Sequence, residues 1–243
     1  DIARQNNWFI IEDCALALGV QHGNSHPVPA TGKRHVGLIG DVGGFSFHPA
    51  KQMTTGEGGM VLTKHPELAE KIRLLRSFGY GSNSHADVTM LGLNYRMTEM
   101  QAAIGLEQMK RLRFLLGERR RNVRRLAGML KDDCRMVAGD YGLSVFVREG
   151  CDRDAVRASM LDQGVETSIY YPHALPDLTI YAGAHSNCPV ASEFAEQTIA
   201  LPVGPHLGFR RLHPPVYKDG LAEQRLRTIA TVFKGAVECA LPA

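Results

Sequence analysis

Short apolar runs and longer amphipathic stretches alternate along the chain. Trp8-Phe9-Ile10-Ile11-Glu12 is an apolar run closed by Asp13, the pattern of a parallel strand buried on both faces. Gly43 to Phe47 and Met60 to Thr63 read as two more strands, and residues 19–40 as a long polar loop. Leu68, Ile72, Leu75 and Phe78 recur at helical spacing, which predicts a helix over Pro66 to Phe78 with Gly79 as its C-terminal cap. Thr98 with Gln101 matches a capping box, so a helix should start at Glu99. It should run to about Lys131, with a break or kink near Gly117.

The pattern then changes. Leu143 to Val147 reads as a strand, Asp152 to Gln163 as a helix capped by Asp152 and Gly164, and Val165 to Tyr171 as a strand. Glu193 to Ile199 reads as a short helix. Leu221 to Ala240 reads as a terminal amphipathic helix with Leu226, Ile229, Val232, Phe233 and Val237 on one face. The fold class is α/β, with a large domain of mostly parallel sheet over 1–110. A connector helix and a small α+β domain follow over 111–243. Asp1 to Asn7 reads as the tail of a helix running into a buried strand, which implies a portion of a longer protein.

Composition narrows the function classes. The 243 residues are 44% hydrophobic and 22% charged, as in soluble globular proteins, and the net charge of +3 makes no case for nucleic acid. Basic residues cluster between Arg111 and Arg125 without interleaved aromatics, which reads as one solvated helix face. No apolar stretch approaches the ~20 residues of a membrane span. The cysteines at 14, 134, 151, 188 and 239 are odd in number and lack Cys-x-x-Cys spacing, which points to a reducing, cytoplasmic setting. His22, His26 and His35 share a loop without a Cys or acidic partner, so no metal centre is expected there. Gly37 to Gly44 lacks the Gly-x-Gly-x-x-Gly spacing of a dinucleotide turn, and a strand follows where a helix is needed.

Candidate chemistry centres on Lys51, at the end of an apolar run and before the glycine-rich turn Gly56-Glu57-Gly58-Gly59. A half-buried lysine is more often a free amine than a surface lysine is, and a free amine forms a Schiff base with an aldehyde. Asp13, at an earlier strand end, is the kind of acid that keeps a pyridine ring protonated. Residue types alone allow a plainer reading, a loop lysine and a turn-capping aspartate.

The chain resembles the sugar aminotransferases of the DegT/StrS type, a branch of the fold-type I pyridoxal phosphate enzymes. The resemblance rests on Glu12-Asp13-Cys14-Ala15, Gly40-Asp41, Ser46 through Gly59, Gly92 through Met97, Gln101 through Leu106 and, more weakly, Ala200 through Pro205. It implies that Lys51 is the Schiff-base lysine and proton carrier, that Asp13 pairs with the ring nitrogen, and that Ser46 binds the cofactor phosphate. Asn94 would reach the phosphate of the other subunit in a homodimer. It also implies a keto sugar, carried on a nucleotide, as acceptor and glutamate as donor, with pyridoxal 5'-phosphate as cofactor. Relatives that dehydrate sugars put histidine at the lysine position, so Lys51 favours amino transfer over a dehydratase; a catalytically incomplete remnant is the other alternative. Leu16 departs from the family, which often has there a glutamine touching the ring hydroxyl.

Overall fold

The computed structural model describes residues 1–22, 34–81, 87–182, 187–208 and 220–240. The expectations for His26 and most of the loop around it fall outside these residues. The chain forms two compact units, Asp1–Leu116 and Gly117–Ala243.

In the first unit a short helix α1 (Ile2–Gln5) precedes β1 (Ile11–Asp13). A two-stranded ribbon follows, β2 (Gln21–His22) against β3 (Arg34–His35). The sheet that carries the candidate chemistry has the order β1-β4-β5, with β4 at Val42–Ser46 and β5 at Gly59–Thr63. β1 and β4 run parallel, with Ile11 opposite Val42 and Asp13 opposite Gly44, while β5 returns antiparallel with Gly59 opposite Ser46. Along β4 and just past it Gly43, Phe45 and Phe47 are buried. Phe45 and Phe47 form a small core with Cys14 and Met53, onto which Ala17, Leu18, Val36, Leu62, Met97 and Leu112 pack.

One expectation is corrected here. The apolar run Trp8 to Glu12 is not a strand buried on both faces: Trp8, Phe9 and Ile11 are 64%, 70% and 77% exposed. β1 is only three residues long and has a neighbour on one side, β4, so among the described residues nothing covers its outer edge.

α2 (Pro66–Leu75) starts with proline at its first turn, where the missing N–H leaves no bond unmade. It ends earlier than the apolar spacing predicts. Gly79, at φ +74°, donates its N–H to the Leu74 carbonyl at 2.9 Å, and the residues between form a turn. The segment from Gly92 to Tyr95 then pairs with this turn: Leu93 N–H reaches Leu75 O at 2.8 Å and Tyr95 N–H reaches Arg76 O at 2.8 Å.

α3 (Glu99–Leu130) starts where the capping box places it. The Thr98 hydroxyl accepts from Gln101 N at 3.3 Å, and the Gln101 side-chain oxygen accepts from Thr98 N at 2.9 Å. The expected break at Gly117 is absent; the helix runs unbroken for 32 residues. One glycine lowers helix stability by about 1 kcal/mol, which so many consecutive hydrogen bonds absorb.

The second unit is a three-stranded antiparallel sheet, β6 (Met136–Ala138), β7 (Leu143–Phe146) and β8 (Thr198–Leu201), in the order β6-β7-β8. Helices α4 (Arg153–Asp162), α5 (Pro189–Gln197) and α6 (Leu221–Cys239) complete it. Leu226, Ile229, Val232, Phe233 and Val237 of α6 all enter the core, with Leu126, Leu130, Val145, Val156, Met160 and Ile199. Each such side chain contributes roughly 1.5–3 kcal/mol on burial. The Asp152 carboxylate caps α4 by accepting from Asp154 N at 2.8 Å and Ala155 N at 3.2 Å.

Two element assignments in this unit change. Val165 to Tyr171 forms no strand; Ser168 alone bridges to Ala200. The expected helix over Glu193 to Ile199 begins and ends earlier, and its last two residues belong to β8, where Thr198 and Ile199 are buried by pairing with β7. Nor is the basic cluster wholly a solvated face. Arg120 pairs with Asp140 at 2.9 Å, Arg121 with Glu118, and Arg125 with Glu223 at 2.9 Å. Arg119 donates to the Tyr141 carbonyl at 3.0 Å, and burial pushes its guanidinium below the usual arginine range. Among the described residues no helix is long and apolar enough to cross a membrane.

Candidate active site

Asp13 and Ser46 end two adjacent parallel strands, so both lie at the carboxyl edge of the sheet, where open α/β sheets bind their ligands. Asp13 is held by the turn that follows it: Ala15 N–H donates to its Oδ1 at 3.0 Å, and the next amide, Cys14 N, donates to Gly44 O at 2.9 Å. Its second oxygen has no partner among the described residues and is open to a donor. Below it Cys14 is buried, and that burial, with the charges of Glu12 and Asp13, pushes its thiol up and keeps it unreactive.

The loop from Phe47 to Gly58 carries Lys51. Phe47 closes its base, donating to Gly58 O at 2.8 Å and accepting from Thr55 N at 3.1 Å and from the Thr54 hydroxyl at 2.9 Å. Met53, 3% exposed, pins the loop into the core beneath the sheet. Within it Lys51 N–H donates to His48 O at 2.9 Å, forming a tight turn that leaves the lysine half-buried. The Ser46 hydroxyl oxygen accepts from His48 N at 3.3 Å, which leaves its own proton for a ligand. Glycine is required at the exit: Gly58 has φ +152°, and a Cβ there would lie 2.5 Å from the Thr55 hydroxyl.

Asp13, Ser46 and Lys51 therefore share one edge. The set fits pyridoxal phosphate on the chemistry of its donors: an amine for the aldehyde, an open carboxylate oxygen for a ring N–H, and a hydroxyl with a proton to give. Asn94 stands apart from them. It is exposed on the segment paired with the α2 turn, bridges to Ser77, and accepts from Arg96 Nε at 3.2 Å.

Glu12 went without a role in the sequence reading. Its carboxylate accepts from the amides of Gly37 at 2.8 Å, Ile39 at 2.8 Å and Gly40 at 2.7 Å. Burial raises its pKa, but those three amides and the charge of His22 hold it below its ordinary value. This also disposes of a phosphate turn at Gly37 to Gly44, because the loop amides already bind a carboxylate. The partners lie far along the chain, so no local pattern marks the residue. Among the described residues no cluster of His, Cys, Asp or Glu could hold a metal ion. His35 is occupied by backbone, its Nε2 accepting from Gly19 N at 2.9 Å and its Nδ1 bonded to Val36 O at 2.5 Å. At position 16 the leucine offers only its carbonyl, which accepts from the Gln52 side-chain amide.

Known proteins resemble the chain over most of its length. Residues 1–213 match the family model of the DegT/DnrJ/EryC1/StrS aminotransferases. The chain is 33% identical, over 96% of its length, to a UDP-N-acetyl-3-dehydro-alpha-D-glucosamine 3-aminotransferase of Acidithiobacillus ferrooxidans, and spans 58% of that relative. It is 30% identical, over 85% of its length, to a GDP-perosamine synthase of Escherichia coli O157:H7, of which it spans 56%. The crystal structure of the aminotransferase TlmJ from Streptoalloteichus hindustanus superposes with a TM-score of 0.78 at 27% identity, covering 98% of this chain and 61% of that one. The chain thus spans somewhat more than half the length of the curated relatives it matches, and it belongs to the DegT/DnrJ/EryC1/StrS aminotransferase family.

Proposed function

We propose that the protein is a pyridoxal-phosphate-dependent aminotransferase that converts a keto sugar, carried on a nucleotide, to an amino sugar with glutamate as amino donor. The observation that carries this is the grouping of Lys51, Asp13 and Ser46 at one carboxyl edge of the sheet, inside the family match. The nucleotide-linked substrate follows from the two curated relatives, which are named for UDP- and GDP-linked sugars.

When bound, pyridoxal phosphate supplies an electron sink that stabilises negative charge on the substrate carbon. Lys51 would hold the cofactor through its Nζ, and the same amine would carry a proton to and from the substrate carbon. Asp13, braced by the Ala15 amide, would offer its open oxygen to the ring N–H and so keep the ring protonated. The Ser46 hydroxyl would donate a hydrogen bond to the phosphate. A histidine in place of Lys51 would suit dehydration; the lysine amine suits amino transfer.

The active unit in this reading is a homodimer, with Asn94 contributed to the partner's phosphate site. Its support is the exposed apolar ground around that residue: Leu91, Leu93, Tyr95 and Met100 are 94%, 56%, 73% and 77% exposed. Exposed apolar side chains gathered on one segment are what an interaction surface presents. Residues 1–110 belong to the cofactor-binding large domain and 111–243 to the connector helix and small domain. The five free cysteines suit the cytoplasm.

The test is a screen of keto-sugar nucleotides against the full-length enzyme with ¹⁵N-labelled glutamate. Transfer of label into a sugar product supports the reading. Release of ammonia or water without an amino sugar points to a dehydratase instead.

A further inference from the structure

Gln52 follows the candidate catalytic lysine and is only 4% exposed. Its Nε2 donates to the main-chain carbonyl of Leu16, in the turn that leaves Asp13. Its Oε1 is buried and has no hydrogen-bond partner among the described residues. The orientation of the amide follows from chemistry, since a carbonyl accepts only from an N–H, so the unpartnered atom is the oxygen. A buried acceptor left without a donor opposes folding, and an apolar side chain of the same volume would avoid that cost. Met53 and Thr55 beside it are 3% and 2% exposed, so the ground is otherwise closely packed. A polar residue here weakens the packing, and what it provides in return is one bond between two segments otherwise distant in the chain.

We propose that Gln52 is a positioning residue. Its amide ties the turn after Asp13 to the loop of Lys51 and so fixes how far the acid stands from the amine. The two groups come from separate elements, the end of β1 and the loop beyond β4. Strand pairing sets the first of these; the second is joined to the Asp13 turn through this side chain. A preorganised site depends on such supporting contacts, because small displacements of reacting groups cost rate steeply. The link to the cofactor rests on the function proposed above, whereas the tether itself does not.

Two variants test it in the full-length protein. Gln52→Met keeps the volume and removes both polar atoms; Gln52→Asn keeps the amide but is one methylene too short to reach Leu16. In the apo protein, hydrogen exchange should quicken together at the amides of Ala17 and Lys51, which bond to Cys14 O and His48 O, and stay unchanged in the second unit. The melting temperature of Gln52→Met should hold or rise, because the orphaned oxygen is gone. Cofactor affinity should fall about tenfold in both variants, and the pH at which the visible absorbance of the bound cofactor changes should move. Exchange that stays at wild-type rates in both variants overturns the tether. If exchange quickens while the wild-type protein binds no pyridoxal phosphate, the tether stands and the cofactor reading fails. If exchange quickens and cofactor binding and its spectral pH dependence stay unchanged, Gln52 has no positioning role.

Discussion

Asp13 lies opposite Gly44 across the parallel pairing of β1 and β4, and Ser46 follows just beyond on the same strand. That register sets an acid and a hydroxyl side by side at the sheet edge, with the Lys51 loop rising from the second strand.

Replacing Lys51 with Ala in the full-length protein should abolish the visible absorbance of the bound cofactor and lower turnover at least about 100-fold. Absorbance titration with pyridoxal phosphate and a glutamate half-reaction check it. A Lys51→Ala enzyme with normal turnover would place the amine elsewhere.

If Asn94 serves the partner's site, Asn94→Ala should weaken cofactor retention, and mixing it with Lys51→Ala subunits should restore activity. A fully exchanged mixture holds one composite intact site per heterodimer, about a quarter of all sites. Recovery is measured after subunit exchange, with dimers confirmed by sedimentation. No recovery in confirmed heterodimers means the site is not shared.

The Glu12 carboxylate should make folding acid-sensitive. Its folded pKa lies below the ordinary value of 4.5, so its contribution is present in full above about pH 4.5 and is lost as pH falls through the folded value. Glu12→Gln should cost about 1–3 kcal/mol near neutral pH, because an uncharged amide cannot accept from three N–H groups as a carboxylate does. Denaturant melts between pH 3 and 7 (a window set by that value) should show the wild-type and variant curves converging at the acid end.

Gly79→Ala should be costly for two reasons. The backbone there has φ +74°, and a Cβ would lie 1.8 Å from the Met90 carbonyl oxygen. The loss should be roughly 1–3 kcal/mol or more, and it should loosen the segment that carries Asn94, seen as faster exchange at the Leu93 and Tyr95 amides. Thermal melts that match wild type would contradict the strain.

Some of this molecule could be read from local pattern. The Thr98–Gln101 capping box and the buried face of α6 are signals within a few residues, and both elements begin or pack as the spacing predicts. The Lys51 loop was legible because its residues are contiguous. What pattern missed depends on partners far away in the chain. Val165 to Tyr171 has a strand's composition, yet only Ser168 finds a neighbour to pair with. Thr198 and Ile199 read as the end of a helix until β7 is there to receive them. Trp8 to Ile11 is apolar enough for a strand buried on both faces, but burial needs a second neighbour. Glu12 and Gln52 were silent for the same reason, since their bonds close loops of 25 and 36 residues.

Glu12 and Asp13 are consecutive on β1, and consecutive strand residues face opposite sides of a sheet. One acid is bonded into the architecture, and its neighbour keeps an oxygen open at the sheet edge. Slipping β1 by a single residue against β4 would put Ile11 or Asp13 where Glu12 now stands, the one with no carboxylate and the other too short to reach the Gly37 loop. The carboxylate that fastens that loop therefore also proofreads the placement of the acid beside it, because a misaligned strand forfeits all three loop bonds at once.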